Sequence, residues 1–471
     1  MAMQLSNKSF PLSLQPKPAW MAILGLISLI FLAFLARVSL LAYLIYYFGS
    51  FTVGIFLYQR YPILYIGFTW WLWFVGPSVK RIIDYQAGYV TPGSWNLIPS
   101  LVTFVSFATL VRYLPHAHKL GGLPFILAIG AVFYGFAIEL IQQQISLRHV
   151  TMLLTWLTPI VFGFHLFVNW RDYPRYRQNF QRVFLWGVLV MGAYGIWQFF
   201  MPLPWDTFWI ELDEQCLCFR DRLWSTAHTP FTFGVFMSGG LLLSLINKKS
   251  VFSITAGVAG YLSFLLTLSR SAWLSWIVGL MFLFPSLKVR FQRSLIITIV
   301  SIGLFALPII YTEPFSEVIG SRIDTFSNLE NDGSYNARLS VFQNNTENAM
   351  FEFIGKGLSS NIETEEFYSK NDAGLLYLLF SLGWLGSIPY LAGISLLFYQ
   401  LFNVSQDYLD RLIPVSRSIS ISIFLLALIG LPGVIGAAGM IIVWSFLGIA
   451  IAGCKYYRSQ SVQKHSFNKA I

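Results

Sequence analysis

Residues Trp20 to Tyr58 read WMAILGLISLIFLAFLARVSLLAYLIYYFGSFTVGIFLY, with Arg37 as the one charge in the run. A helix needs about 20 apolar residues to cross the ~30 Å hydrocarbon core of a bilayer. This run is long enough to do so twice, over 20–36 and 38–58. It is too long for the apolar core of a signal peptide and lacks a small-residue cleavage site. Ahead of it lies a polar tail, residues 1–19, carrying Lys8 and Lys17.

The rest of the chain repeats the pattern. Of 471 residues, 56% are hydrophobic and 11% charged, where a soluble protein carries about 25% charged residues. The alternating pattern of a membrane β-barrel is absent. Further apolar runs fall at 61–77, 97–114, 122–144, 150–169, 183–201, 230–247, 251–268, 271–286, 294–311, 373–400, 418–433 and 435–453. The expected fold is an all-α polytopic transmembrane helix bundle of about 12–14 spans over 20–453, the shorter count allowing for the tight first and last pairs. No internal repeat of the kind common in secondary transporters is visible.

The net charge of +10 follows membrane topology and not a nucleic-acid surface. Basic clusters recur between the runs: Arg112 and Lys119; Arg171, Arg175, Arg177 and Arg182; Lys248 and Lys249; Lys288, Arg290 and Arg293; Arg411 and Arg417; and the 454–471 tail. The positive-inside rule puts these, and both tails, in the cytoplasm. Lys80, Arg81 and Arg148 then fall outside, against the rule. The acids segregate oppositely. Sixteen of the 21 lie in two external loops, 202–229 and 312–372. The second is long enough to imply function or disorder, and Leu339, Phe342, Ala349 and Phe353 at helical spacing predict a surface helix over Arg338–Phe353. Cys216 and Cys218 are too few for a zinc site and read as incidental.

Against this background one arginine stands out. Leu266–Leu280 reads LTLSRSAWLSWIVGL, and Arg270 sits where an intramembrane arginine costs roughly 2.5–3.5 kcal/mol. Topology puts it at an external turn. The same face carries Arg220 and Arg222 in FRDRLWSTAHTPFTFG, Arg322 and Arg338 in the large loop, and Asp372 at that loop's end. Arg220, Arg322, Lys356 and Lys370 read as interface anchors or partners of loop acids. His165 and His228 read as packed histidines. Glu139, near the outer end of its span, is open between a bundle-interior ion partner and no such role until its neighbours are known. A guanidinium fork pairs bidentately with phosphate oxygens and stays charged. Fixed arginines at a water-poor boundary therefore suit a diphosphate leaving group, as on a lipid-linked diphosphate.

The order of RLWSTAHTPFTFG, then SRSAWLS at an external turn, then a large loop holding Arg338 and FIGKGLSSN, then NDAGLLYLLFSLGWLG resembles the O-antigen ligase/polymerase family of bacterial polysaccharide assembly, over roughly residues 180–400. The resemblance implies a metal-independent, GT-C-like membrane glycosyltransferase with no cofactor. The donor would be a glycan on undecaprenyl diphosphate in the bacterial inner membrane, and the site would face the periplasm. By matching position, Arg222, Arg270 and Arg338 become the diphosphate-binding arginines. Asp372 takes the place where the family's ligases carry a histidine, which points to the polymerase branch, with the ligase as the alternative. A lipid-linked sugar transporter is a second alternative. A flippase and a chain-length regulator of the same pathway are the protein partners the resemblance implies.

Overall fold

Helices stand at every position where an apolar run predicts one. The computed structural model describes residues 16–91, 96–142, 146–212, 222–246, 250–310, 333–359, 374–403, 410–429 and 437–469. The helices are α1 (Lys17–Leu35), α2 (Ser39–Arg60), α3 (Pro62–Ala87), α4 (Leu97–His116), α5 (Leu123–Gln142), α6 (Leu147–Val168) and α7 (Tyr173–Phe200). They continue with α8 (Pro204–Leu212), α9 (Pro230–Ser244), α10 (Val251–Leu265), α11 (Arg270–Leu283), α12 (Val289–Ile310), α13 (Gly333–Met350), α14 (Gly374–Phe402), α15 (Leu412–Ile429) and α16 (Ala437–Lys469). No strand occurs among the described residues. Nine of the described helical segments are long and apolar enough on their own to cross a bilayer, so the chain is a multi-pass membrane protein. Shorter apolar helices such as α9 and α10 fill out the bundle.

Local chemistry sets the ends. Pro62 and Pro230 occupy first helical positions, where a missing N–H costs nothing. Thr229 caps α9 by accepting the Thr232 N–H at 3.1 Å, and Ser250 caps α10 by accepting the Ser253 N–H at 3.2 Å. The predicted surface helix exists as α13, beginning five residues earlier and ending at Met350. Phe342 and Ala349 of its apolar face pack with Leu376, Leu379, Phe380 and Trp384 of α14. Phe353 lies past the helix and is exposed.

The membrane-spanning part of α16 is the centre of the bundle and almost wholly buried, with its largest interfaces against α6 and α15. Gly163 of α6 and Gly448 of α16 make a close crossing: a Cβ on either would run into the other helix's backbone. Small residues permit such backbone approach, which drives helix association where water offers no hydrophobic push. Around this axis Trp70, Phe74, Phe162, Phe180, Phe184 and Phe446 stack edge to face. By contrast α1 exposes Met21, Leu24, Ile27, Phe31 and Leu35, as a helix bordering lipid does.

Helix α14 is broken. At Gly383 the backbone turns to φ 60°, ψ −176°, a conformation that is essentially glycine's alone. Into the gap runs Phe351–Ser359. Lys356 and Gly357 donate their N–H groups to the carbonyls of Phe380 and Ser381, at 2.7 and 3.1 Å, closing the first half-helix. Glu352 and Phe353 accept the N–H groups of Trp384 and Leu385, at 3.1 and 3.2 Å, opening the second. Four backbone groups that the break releases thus find partners in this segment, as irregular backbone buried away from water requires.

Several boundaries differ from the apolar runs. Helix α3 continues ten residues past 77 because Lys80 and Asp84 neutralise each other on one face, Nζ to Oδ2 at 2.7 Å. Helix α7 begins at Tyr173, its charged first turns tied by Arg177 Nε to Asp410 Oδ2 at 2.7 Å. The loop at 202–229 contains a short helix, α8. The C-terminal tail is helical through Lys469. Cys216, Cys218, Arg220, Arg322, Lys370 and Asp372 lie outside the described residues.

Candidate functional site

Two of the four sequence-predicted site residues share one end of the bundle. Arg222 opens the segment 222–229, and Arg270 opens α11. The Leu223 N–H donates to the Leu266 carbonyl at 3.1 Å, which binds that segment to the turn ahead of Arg270. Gly234 of α9 seats the same turn: a Cβ there would collide with Ala272. Both arginines are partly buried. Arg338 lies on α13 by its backbone, its side chain being outside the description.

The turn is built by SRSAW and its neighbours. Thr267 Oγ1 donates to the Phe264 carbonyl at 2.7 Å and accepts the Ser269 N–H at 3.2 Å. Trp273 Nε1 donates to the same Phe264 carbonyl at 3.1 Å. Leu268, between them, is 3% exposed and adopts φ 51°. On the facing segment Ser225 adopts φ 54°. Non-glycine residues with such angles cost of order 1–3 kcal/mol and persist where surroundings over-determine them. Each stands within three residues of a candidate arginine.

Beneath Ser225 lies a polar cluster that the sequence reading missed. Arg81, 1% exposed, donates from Nη2 to the Ser225 carbonyl. Its Nη2 also lies 3.5 Å from Oδ1 of Asp206, a fully buried residue of α8. The other Asp206 oxygen accepts the Tyr194 hydroxyl at 2.7 Å, and Trp205 Nε1 donates to that hydroxyl at 2.9 Å. Gln198 Oε1 accepts the Ser225 N–H at 2.7 Å. The Arg81 guanidinium carbon is 5.8 Å from the Trp224 ring centre. His228 sits beside this cation in the same loop; burial first and Arg81 second push its pKa down to about 4, so it is neutral. The available signal was Arg81's violation of the positive-inside rule.

The other two violations also resolve into pairs. Lys80 donates to Asp84 and to the carbonyl and hydroxyl of Thr91, at 3.0 and 3.1 Å. Arg148 Nη2 donates to the Ser359 carbonyl at 3.2 Å, beside Glu139, which faces His149, Nε2 to Oε1 at 3.5 Å. His165 is packed, its Nδ1 2.7 Å from Thr109 Oγ1. Among the described residues no group of His, Cys, Asp or Glu is arranged to hold a metal ion.

Arginine side chains pair readily with anions, and two of them, Arg222 and Arg270, are tied to this end of the bundle. Its cations are permanent, its turns are fixed, and it lies at the boundary of apolar helices. Comparison with known protein families yields no matching family model, and comparison with curated proteins yields no match.

Proposed function

We propose that the chain is a membrane glycosyltransferase that polymerises glycan repeat units carried on undecaprenyl diphosphate, in the bacterial inner membrane with its site facing the periplasm. Arg222 and Arg270 hold the donor's diphosphate, and Arg338 closes on it from the large loop. The acceptor sugar hydroxyl attacks the anomeric carbon. The bond from that carbon to the diphosphate oxygen breaks, and undecaprenyl diphosphate departs with the electron pair. Asp372 orients the hydroxyl and takes its proton, geometry being the first requirement. The arginines stabilise charge that grows on the departing oxygen in a water-poor site.

The observation that supports this reading is the Leu223–Leu266 hydrogen bond, which joins the strained segments behind Arg222 and Arg270 at one end of the bundle. The test is purified protein with undecaprenyl-diphosphate-linked oligosaccharide and neither metal nor nucleotide sugar. Chain extension with release of undecaprenyl diphosphate is the expected result. Transfer to lipid A-core or protein instead identifies a ligase. Movement of the donor across a vesicle bilayer without bond formation identifies a transporter and overturns the enzyme reading.

A further inference from the structure

Arg81 has donors to spare. Its Nε and Nη1 make no hydrogen bond with the described residues, and its Nη2 alone meets both Ser225 and Asp206. A buried cation is costly unless well paired, so a guanidinium kept here at partial satisfaction has work to do in the fold.

That work converges on two residues. The Ser225 carbonyl accepts from Arg81 and from Gln198 Nε2, the latter at 3.4 Å. The Ser225 N–H donates to Gln198 Oε1, and its Oγ donates to the Met191 carbonyl at 2.6 Å. Thr226 Oγ1 donates to the Phe74 carbonyl at 2.5 Å. Helices α3 and α7 thereby clamp a left-handed serine from two sides. Arg222 lies three residues before it. Through Leu223 the same constraint passes to Leu266, and so to the turn that carries Leu268 and Arg270.

We infer that Arg81, oriented by Asp206 and Tyr194, is a positioning residue: it pins Ser225 and so sets the spacing of Arg222 and Arg270 to that of one diphosphate. The ligand class rests on the function proposed above; the pinning does not.

Two readouts on the full-length protein in nanodiscs keep these apart. The first is amide hydrogen exchange, which reports local opening. In Arg81→Gln, exchange across 222–229 and 266–270 rises by about tenfold or more, while α16 keeps its protection. The second is chain extension on undecaprenyl-diphosphate-linked oligosaccharide. A misplaced clamp raises KM about tenfold and alters kcat less than about threefold, within the ~100-fold that an ångström of misplacement can cost. Arg81→Lys keeps the charge and brings KM back to within about threefold of the parent, and Asp206→Asn shifts both readouts in the direction of Arg81→Gln. Unchanged exchange at 222–229 in Arg81→Gln overturns the inference. So does a rise spread evenly through α16, which marks a merely structural role. If Arg81→Gln does not fold, Asp206→Asn decides: parent-like exchange at 222–229 in that variant overturns it. Should exchange respond as expected while the parent protein extends no chains, the glycosyltransferase reading fails and the positioning role stands.

Discussion

Ser359 donates its backbone N–H to Oε1 of Glu139 at 3.1 Å, joining residues 220 positions apart. His149 Nε2 lies 3.5 Å from the same oxygen, and its Nδ1 accepts the Ser146 N–H at 2.9 Å. Gly357 packs with no room for a side chain against the Glu139 Cβ. Glu139 is therefore the anchor for the returning end of the large loop. Glu139→Ala strips a buried N–H of its acceptor and costs about 1–3 kcal/mol. Glu139→Gln keeps an oxygen there and costs less. Melting in detergent measures both, and an alanine variant melting with the parent refutes the anchor.

Gly383→Ala meets two obstacles at once. Its backbone angles disfavour any L side chain, and the new methyl runs into the Phe353 carbonyl and the Ile354 backbone. A loss of at least about 2 kcal/mol is expected, together with protease cleavage within 351–359 that the parent resists. Resistance equal to the parent's counts against the insertion of that segment.

Acid acts through His228. Its ordinary pKa is near 6.5, and folding lowers it to about 4. Between those values the unfolded chain binds a proton that the folded one refuses, so stability is full above pH 6.5 and declines as pH falls toward 4. Parent and His228→Asn are to be melted between pH 7.5 and 4.5. The parent loses more on acidification; parallel curves refute the assignment to this histidine.

Arg270→Ala and Arg270→Lys are both expected to abolish long chains at unchanged protein level, because a lysine cannot reproduce the fork. Arg222→Ala follows suit. Normal chain length in any of these removes that arginine from the diphosphate site. Asp372→Asn with near-parent rates excludes Asp372 as the base.

The bundle was legible in the apolar runs because, with the alternating pattern of a barrel absent, lipid leaves only helices. What escaped was every place where charge enters a helix and is answered from afar. Helix α15 begins at Leu412, six residues before its run, since buried Arg417 donates to Ser286 Oγ at 2.5 Å and lies 4.3 Å from the Phe402 ring. Arg81 escaped for the same reason: Asp206 and Ser225 lie more than a hundred residues downstream, and no local pattern announces them. Arg270 stands out in the sequence because its cost shows within its own turn, and the structure describes that turn and not the arginine's role. The break in α14 hides in the sequence because Gly383 resembles the many glycines that merely let helices touch.

The threading of Phe351–Ser359 through α14 carries a consequence for biogenesis. The hydrogen bonds that end the first half of that helix and begin the second come from a segment made before either half. Residues 351–359 are made ahead of α14, so they are on hand when its two halves form, and a chain in which that segment is mispaired leaves peptide groups at the break without partners, a lesion that is costly wherever water is scarce.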